Sequence, residues 1–170
     1  MKINFYLVLR ITLIVLIICT LSFTFYQSLL PKEESSEASE EVSDFLEPII
    51  PSDTPAGEFV HTNIREIAHF VEFFVLGLFV TLYVVIFMPS LDAFPKARVR
   101  YIVYSLFLAP IVALLDETVQ IFTGRGPEIV DVWLDTAGFF SAAIIVVLIF
   151  LAVKYIRCRK KAAGEDDLAQ

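Results

Sequence analysis

The sequence predicts an all-α, polytopic membrane protein: a four-transmembrane-helix bundle with both termini cytoplasmic. Three observations carry this. Of 170 residues, 57% are of hydrophobic type, against about 45–50% on a comparable count for soluble domains. The excess is gathered in four long apolar runs, each near the length of about 20 residues that crosses a bilayer. Lys and Arg fall at the N-terminus, between the second and third runs, and in the C-terminal tail. The other two loops carry mainly acid. With positive charge held inside, an even number of spans results.

The first span is expected from Tyr6 to Leu30, with Arg10 snorkelling near its start. The run is too long for a signal h-region, and no small-residue cleavage site follows it. Ile17 and Ile18 before Cys19 argue against lipoprotein processing. We therefore expect an uncleaved span over residues 1–30.

Residues 31–60 read as an acidic extracytoplasmic linker. Nine Asp and Glu residues lie between Glu33 and Glu58, with Pro31, Pro48, Pro51 and Pro55 and several serines. Such composition predicts a solvated spacer that buries too little apolar surface to offset ordering entropy. Phe45, Ile49 and Ile50 are its expected points of contact with a membrane surface.

Residues 61–156 hold the other three spans. The second runs from Ile67 to Met88, and Pro89, Ser90, Asp92 and Pro95 mark the loop after it. The third covers Val99 to Leu115, includes Pro110, and continues through Asp116 to Phe122. Thr123-Gly124-Arg125-Gly126-Pro127 is a turn, with Pro127 suited to a first helical position. The fourth helix runs from Glu128 to Tyr155, its membrane part starting near the interfacial Trp133. Residues 157–170 form a cytoplasmic tail, basic at first and closed by Glu165, Asp166 and Asp167.

The formal net charge is −7, but most of the acid sits in the linker and the last residues. No basic, aromatic-interleaved patch suggests nucleic acid. Cys19 and Cys158 are expected at different depths, so no disulfide is predicted, and neither has a metal-ligand spacing.

The ionisable residues near the spans are the informative ones, because charge inside a bilayer is expensive unless paired or hydrated. Arg65, His69 and Glu72 follow i, i+4, i+7 and share a helix face. Asp116, Glu117 and Gln120 close the third span. Asp131, Asp135 and Gly138 repeat the i, i+4, i+7 pattern in the fourth, and Gly138 with Ala142 permits close helix packing. By the predicted topology these stripes lie at one outer level, with Arg125 in the turn between two of them. A shallow polar pocket is expected, walled by Phe70, Phe73, Phe74, Phe122 and Trp133.

Several chemistries suit such a pocket. Arg65 and Arg125 would hold a phosphate or carboxylate, with Gln120, Asp131 and Asp135 completing a ligand-binding set. His69, Glu72, Asp116 and Glu117 are the candidates for acid–base work. Equally, the arginines neutralise the carboxylates in a structural network, and His69 is a hydrogen-bonded structural residue. A divalent cation on the carboxylates ranks lower. No ligand motif is present, and His69-x-x-Glu72 reverses the Glu-x-x-His of helical di-iron sites. No metal is therefore assigned and no cofactor is named. Transport ranks last, since the polar residues stop near one interface.

Arg65-Glu-Ile-Ala-His69-Phe-Val-Glu72-Phe-Phe resembles the second-span motif of VanZ-like membrane proteins. Asp116-Glu117-Thr-Val-Gln120-Ile-Phe-Thr-Gly124-Arg125 and Asp131-Val-Trp-Leu-Asp135-Thr-Ala-Gly138 are similar to that family's second motif. The resemblance spans roughly residues 60 to 145. Asp135 departs from it, standing where the family typically has Asn, and Ala142 where a second Gly is common. The resemblance implies a multi-pass protein of the bacterial plasma membrane acting at the cell envelope, in a family whose founding member is associated with low-level teicoplanin resistance. It implies no particular reaction. The expected partners are the lipid bilayer and an anionic lipid-linked or cell-wall ligand. The alternative is a non-catalytic module whose ion network fixes the helical bundle.

Overall fold

The computed structural model describes residues 4–88 and 95–166. The predicted turn at Pro89, Ser90 and Asp92 lies outside them, as does Asp167. Six helices make up the described chain: α1 (Phe5–Leu29), α2 (Lys32–Leu46), α3 (Pro55–Thr62), α4 (Ile64–Phe87), α5 (Pro95–Phe122) and α6 (Ile129–Asp166). Four are long and apolar enough to cross a membrane: α1, α4, the Val99–Phe122 part of α5 and the Ile129–Lys160 part of α6. At 1.5 Å per residue, the 24 residues of α4 span about 36 Å. Pro110 stands inside α5 without ending it.

Helices α4, α5 and α6 each bury one stripe at helical spacing. On α4 the stripe is His69, Phe73, Leu76, Gly77, Thr81, Val84 and Val85. On α6 it is Asp131, Asp135, Gly138, Phe139, Ala142, Ala143 and Val146. On α5 it is Ala109, Ala113, Asp116, Glu117 and Gln120. The opposite faces are apolar too: Ile11, Phe23, Val71, Leu108, Leu114 and Leu148 are all exposed. Water would not tolerate so much continuous apolar surface, so these faces fit contact with a lipid bilayer.

The α4–α6 pair is the tightest. Gly77 meets the backbone of Phe139, where an added Cβ would lie 2.6 Å from the carbonyl oxygen. Gly138 meets Phe70, whose carbonyl oxygen a Cβ would overlap outright. Each glycine admits the other helix's main chain, the arrangement expected of small residues in membrane helices. Leu76, Ala109 and Phe139 form the apolar centre, flanked by Ile17, Leu21, Val80, Leu106, Val112 and Phe140. Helix α1 packs on α4 and α5, and Arg10 donates through Nε to the Tyr83 hydroxyl at 3.2 Å.

The acidic linker differs from its predicted form. Composition predicts an unstructured spacer, and the structure folds α2 and α3 there. Glu33 and Glu34 in the first turn of α2 suit its positive N-terminal end. Thr54 caps α3 by accepting from the Gly57 amide at 3.0 Å. His61 ties the two together: Nε2 contacts the Ile50 carbonyl at 2.8 Å, Nδ1 contacts Ser43 Oγ at 2.5 Å, and Glu47 lies 3.2 Å away. A free chain of this composition would stay solvated, whereas this segment is held at both ends and pinned in the middle.

Candidate functional site

Helices α1 and α5 end, and α4 and α6 begin, at the same end of the bundle. That alternation gathers the polar stripes. Gly124, at φ 75°, breaks α5 in the left-handed conformation that glycine adopts without strain. The Arg125 amide then folds back to the Gln120 carbonyl at 3.2 Å, a Schellman-type closure. This turn aims Arg125 at the C-terminal end of α1, where its Nη1 donates to the Gln27 carbonyl at 3.0 Å. Thr123 Oγ1 donates to the Ser28 carbonyl at 3.3 Å. The Ser28 carbonyl at the helix end thereby gains a donor, and the Gln27 carbonyl, which also accepts from the Leu30 amide at 3.3 Å, gains a second. Helix α6 starts at Ile129, so Pro127 stands ahead of its first turn. The Glu128 amide there donates to Glu117 Oε2 at 2.8 Å.

Gln120 is the hub and is fully buried. Its Nε2 donates to Asp116 Oδ2 at 3.1 Å and to Glu117 Oε1 at 3.0 Å. Its Oε1 accepts from Arg65 Nη2 at 2.9 Å. Both amide hydrogens and the carbonyl are used, which fixes the orientation of the amide. Asp116, also fully buried, accepts from Ser28 Oγ at 2.5 Å. Arg65 lies 3.6 Å from Asp131. His69 Nδ1 stands 3.6 Å from Asp135 Oδ1 and 4.0 Å from Asp116 Oδ2.

The structure thus brings together Arg65, His69, Asp116, Glu117, Gln120, Arg125, Asp131 and Asp135. Glu72, a turn beyond His69, borders the same cleft. The predicted aromatic wall is different. Phe122 is 84% exposed and Trp133 69% exposed, so both face outward. Phe73 is buried in the bundle, and Phe70 and Phe74 stack on each other beside Gly138. At this end of the bundle the interior positions on α5 and α6 are taken by Asp116, Glu117, Asp131 and Asp135, which leaves Phe122 and Trp133 outside. The residues that sequence reasoning missed are Thr24, Gln27 and Ser28 of α1, and Ser35, Ser36 and Ser39 of α2. The only signal was spacing: Thr24 and Ser28 stand four apart near the end of an apolar run.

Above the hub lies a cleft of about 230 Å³ lined by Lys32, Ser35, Ser36, Ser39, Arg65 and Arg125. A second space of about 100 Å³ continues from it to His69 and Glu72. Burial pushes the Arg125 guanidinium down from its usual value, and the charge of nearby Arg65 pushes the same way, against Asp116, Glu117 and Asp131. Glu72 also edges an apolar groove of about 400 Å³ between α1 and α4, with Cys19, Thr20, Phe23, Val71 and Val75. A further apolar groove, of about 490 Å³, runs along α4 and α6 at the opposite end of the bundle, far from this chemistry.

Fold and site together define a multi-pass helical membrane protein with a buried ionic cluster at one end of its bundle. The sequence profile of the VanZ/LLP1 family matches residues 13–151, and the chain belongs to that family. No curated protein and no solved structure gives a significant match.

Proposed function

We propose that this protein binds an anionic, lipid-linked ligand of the bacterial cell envelope, with the ionic cluster at the outer face of the plasma membrane. The observation that carries this reading is the junction at Glu72. On one side lies a cleft with two guanidinium groups; on the other, an apolar groove open along α1 and α4. A phosphate or carboxylate headgroup suits the first and an acyl or prenyl chain suits the second. Arg65 and Arg125 each keep a buried Nε without a hydrogen-bond partner among the described residues, so donor capacity is left for an anion. Placing an anion between them also relieves their mutual repulsion. Serines 35, 36 and 39 add hydroxyl donors from α2. The Lys/Arg bias supports both termini being cytoplasmic, and family membership supports an envelope role, including reduced susceptibility to glycopeptides such as teicoplanin.

The test is thermal unfolding of the purified full-length protein with lipid phosphates, peptidoglycan precursors and inorganic phosphate. A ligand present at about 100 times its Kd stabilises by about 2.7 kcal/mol. A rise in Tm that Arg65→Ala and Arg125→Ala abolish is expected; no rise with any of these anions refutes the reading.

A second reading is favoured by the chain from Ser28 through Asp116 and Gln120 to Arg65, which ties α1, α5 and α4 together. Here the cluster only fixes the bundle. Arg65→Ala would then break a half-buried link between helices and deplete the protein from the membrane rather than weaken a ligand.

A further inference from the structure

We infer that His69, Asp116 and Asp135 form a binding site for a divalent transition-metal ion, beneath the arginine cleft and independent of the anion it is proposed to hold. A nitrogen or oxygen from each of the three residues lies within 4.8 Å of the others. The His69 Nδ1 separations of 3.6 and 4.0 Å both exceed the ligand-to-ligand distance of about 3.4 Å that metal bonds near 2.1 Å produce in a tetrahedral site. Small side-chain shifts close the difference.

Proximity alone would describe any acidic cluster. The decisive observation is which atoms lack partners. Glu117 has both oxygens hydrogen-bonded, to Gln120 and to the Glu128 amide. Asp116 is held by Ser28 and Gln120, and Asp131 faces Arg65. Asp135 is 0% exposed, and neither of its oxygens has a hydrogen-bond partner among the described residues. The same holds for His69 Nδ1, on a residue 7% exposed. Glu72 Oε2, one turn on from His69, is a third buried acceptor without a partner. The His69 and Asp135 atoms face each other at 3.6 Å, in a region where an uncompensated charge is costly. Five carboxylates (Glu72, Asp116, Glu117, Asp131, Asp135) face two arginines there. The acids outnumber the arginines, and a divalent ion supplies positive charge to this acid-rich cluster.

The donor set selects the ion. One imidazole with two or three carboxylates suits Mn²⁺, Fe²⁺ or Zn²⁺, whereas Ca²⁺ and Mg²⁺ prefer all-oxygen sites. Ser28 and Gln120 hold Asp116 as outer partners of a metal ligand usually do. Because His69 also lines the cleft, an ion has a path in.

The test uses chelator-treated full-length protein with Mn²⁺ or Zn²⁺ alone, no anion added, read by calorimetry and by the shift in Tm. Binding of one ion per chain is expected, weakened at least 10-fold in Asp135→Asn and in His69→Gln. Asp135→Asn separates this proposal from a purely structural cluster. Removing one buried charge from an acid-rich site should leave Tm in chelator unchanged or raised while abolishing the metal-induced shift. Failure of both ions to bind, or wild-type affinity in Asp135→Asn and His69→Gln, overturns the proposal. A lowered Tm of Asp135→Asn in chelator, with no metal shift in the wild type, does so in favour of the structural role. The anion reading survives any of these, since its own test uses Arg65 and Arg125.

Discussion

The α4–α6 contact sets the spacing of the site, and Gly138→Ala tests it. One methyl group is added where the structure has no room. Its carbon would overlap the Phe70 carbonyl oxygen and lie 3.2 Å from the Phe74 amide nitrogen. Both are main-chain atoms, so no side chain can rotate aside. Carbon contacts are comfortable at about 3.5–4.0 Å, so the helices must separate by about 1 Å at this crossing. Overpacking of this kind costs about 1–3 kcal/mol. Gly77→Ala, with its Cβ 2.8 Å from Phe139 Cα, should cost a similar amount. The two changes push the same pair of helices apart, so the double variant should be less destabilised than the sum. Asp135 lies one turn before Gly138, and the separation would also stretch its 3.6 Å approach to His69. Reversible unfolding in detergent micelles measures all three, with Gly126→Ala as the control, since nothing lies within 4 Å there. If Gly138→Ala unfolds within about 0.5 kcal/mol of wild type, as surface substitutions do, the described α4–α6 packing is wrong.

Other perturbations probe separate contacts. Ser28→Ala leaves Asp116 Oδ1 without its buried donor and should cost about 1–3 kcal/mol, read by the same unfolding assay. Gln120→Leu strands Arg65 Nη2, Asp116 and Glu117 together, and should destabilise more than Ser28→Ala does. His61→Ala removes the contacts that pin Ser43, Glu47 and Ile50; limited proteolysis should then cut within residues 47–54 faster, with the spans intact. Hydrogen bonds from Ser52 hold the Glu47 carboxyl below its usual value, with His61 nearby adding to the effect. The order they confer is therefore complete above the ordinary glutamate value and lost as pH falls through the lowered one. Amide exchange at Ser52 should accelerate over that acidic window, and Glu47→Gln should remove the pH dependence.

Much of this architecture is legible in the chain. Four apolar runs of bilayer length admit only helices, because an unpaired backbone group in lipid is too costly. Helical spacing then places Arg65 with His69, Asp116 with Gln120, and Asp131 with Asp135, while alternating direction puts all three stripes at one level. The order imposed on residues 32–62 was hidden, since composition reports how a free segment behaves and is blind to a tether such as His61. The outward placement of Phe122 and Trp133 was hidden too: an aromatic in lipid satisfies the same hydrophobic rule as one in a pocket wall.

The pairing inside the site belongs to tertiary structure alone. Periodicity says which residues share a face of one helix; it is silent on how that helix is rotated against its neighbours. That rotation gives Asp116 its partner in Ser28, 88 residues away, and sets Asp135 beside His69. A metal motif written on one helix is visible as a spacing. A set of donors drawn from α4, α5 and α6 has no spacing to read, and only packing around Gly77 and Gly138 brings them within reach of one ion.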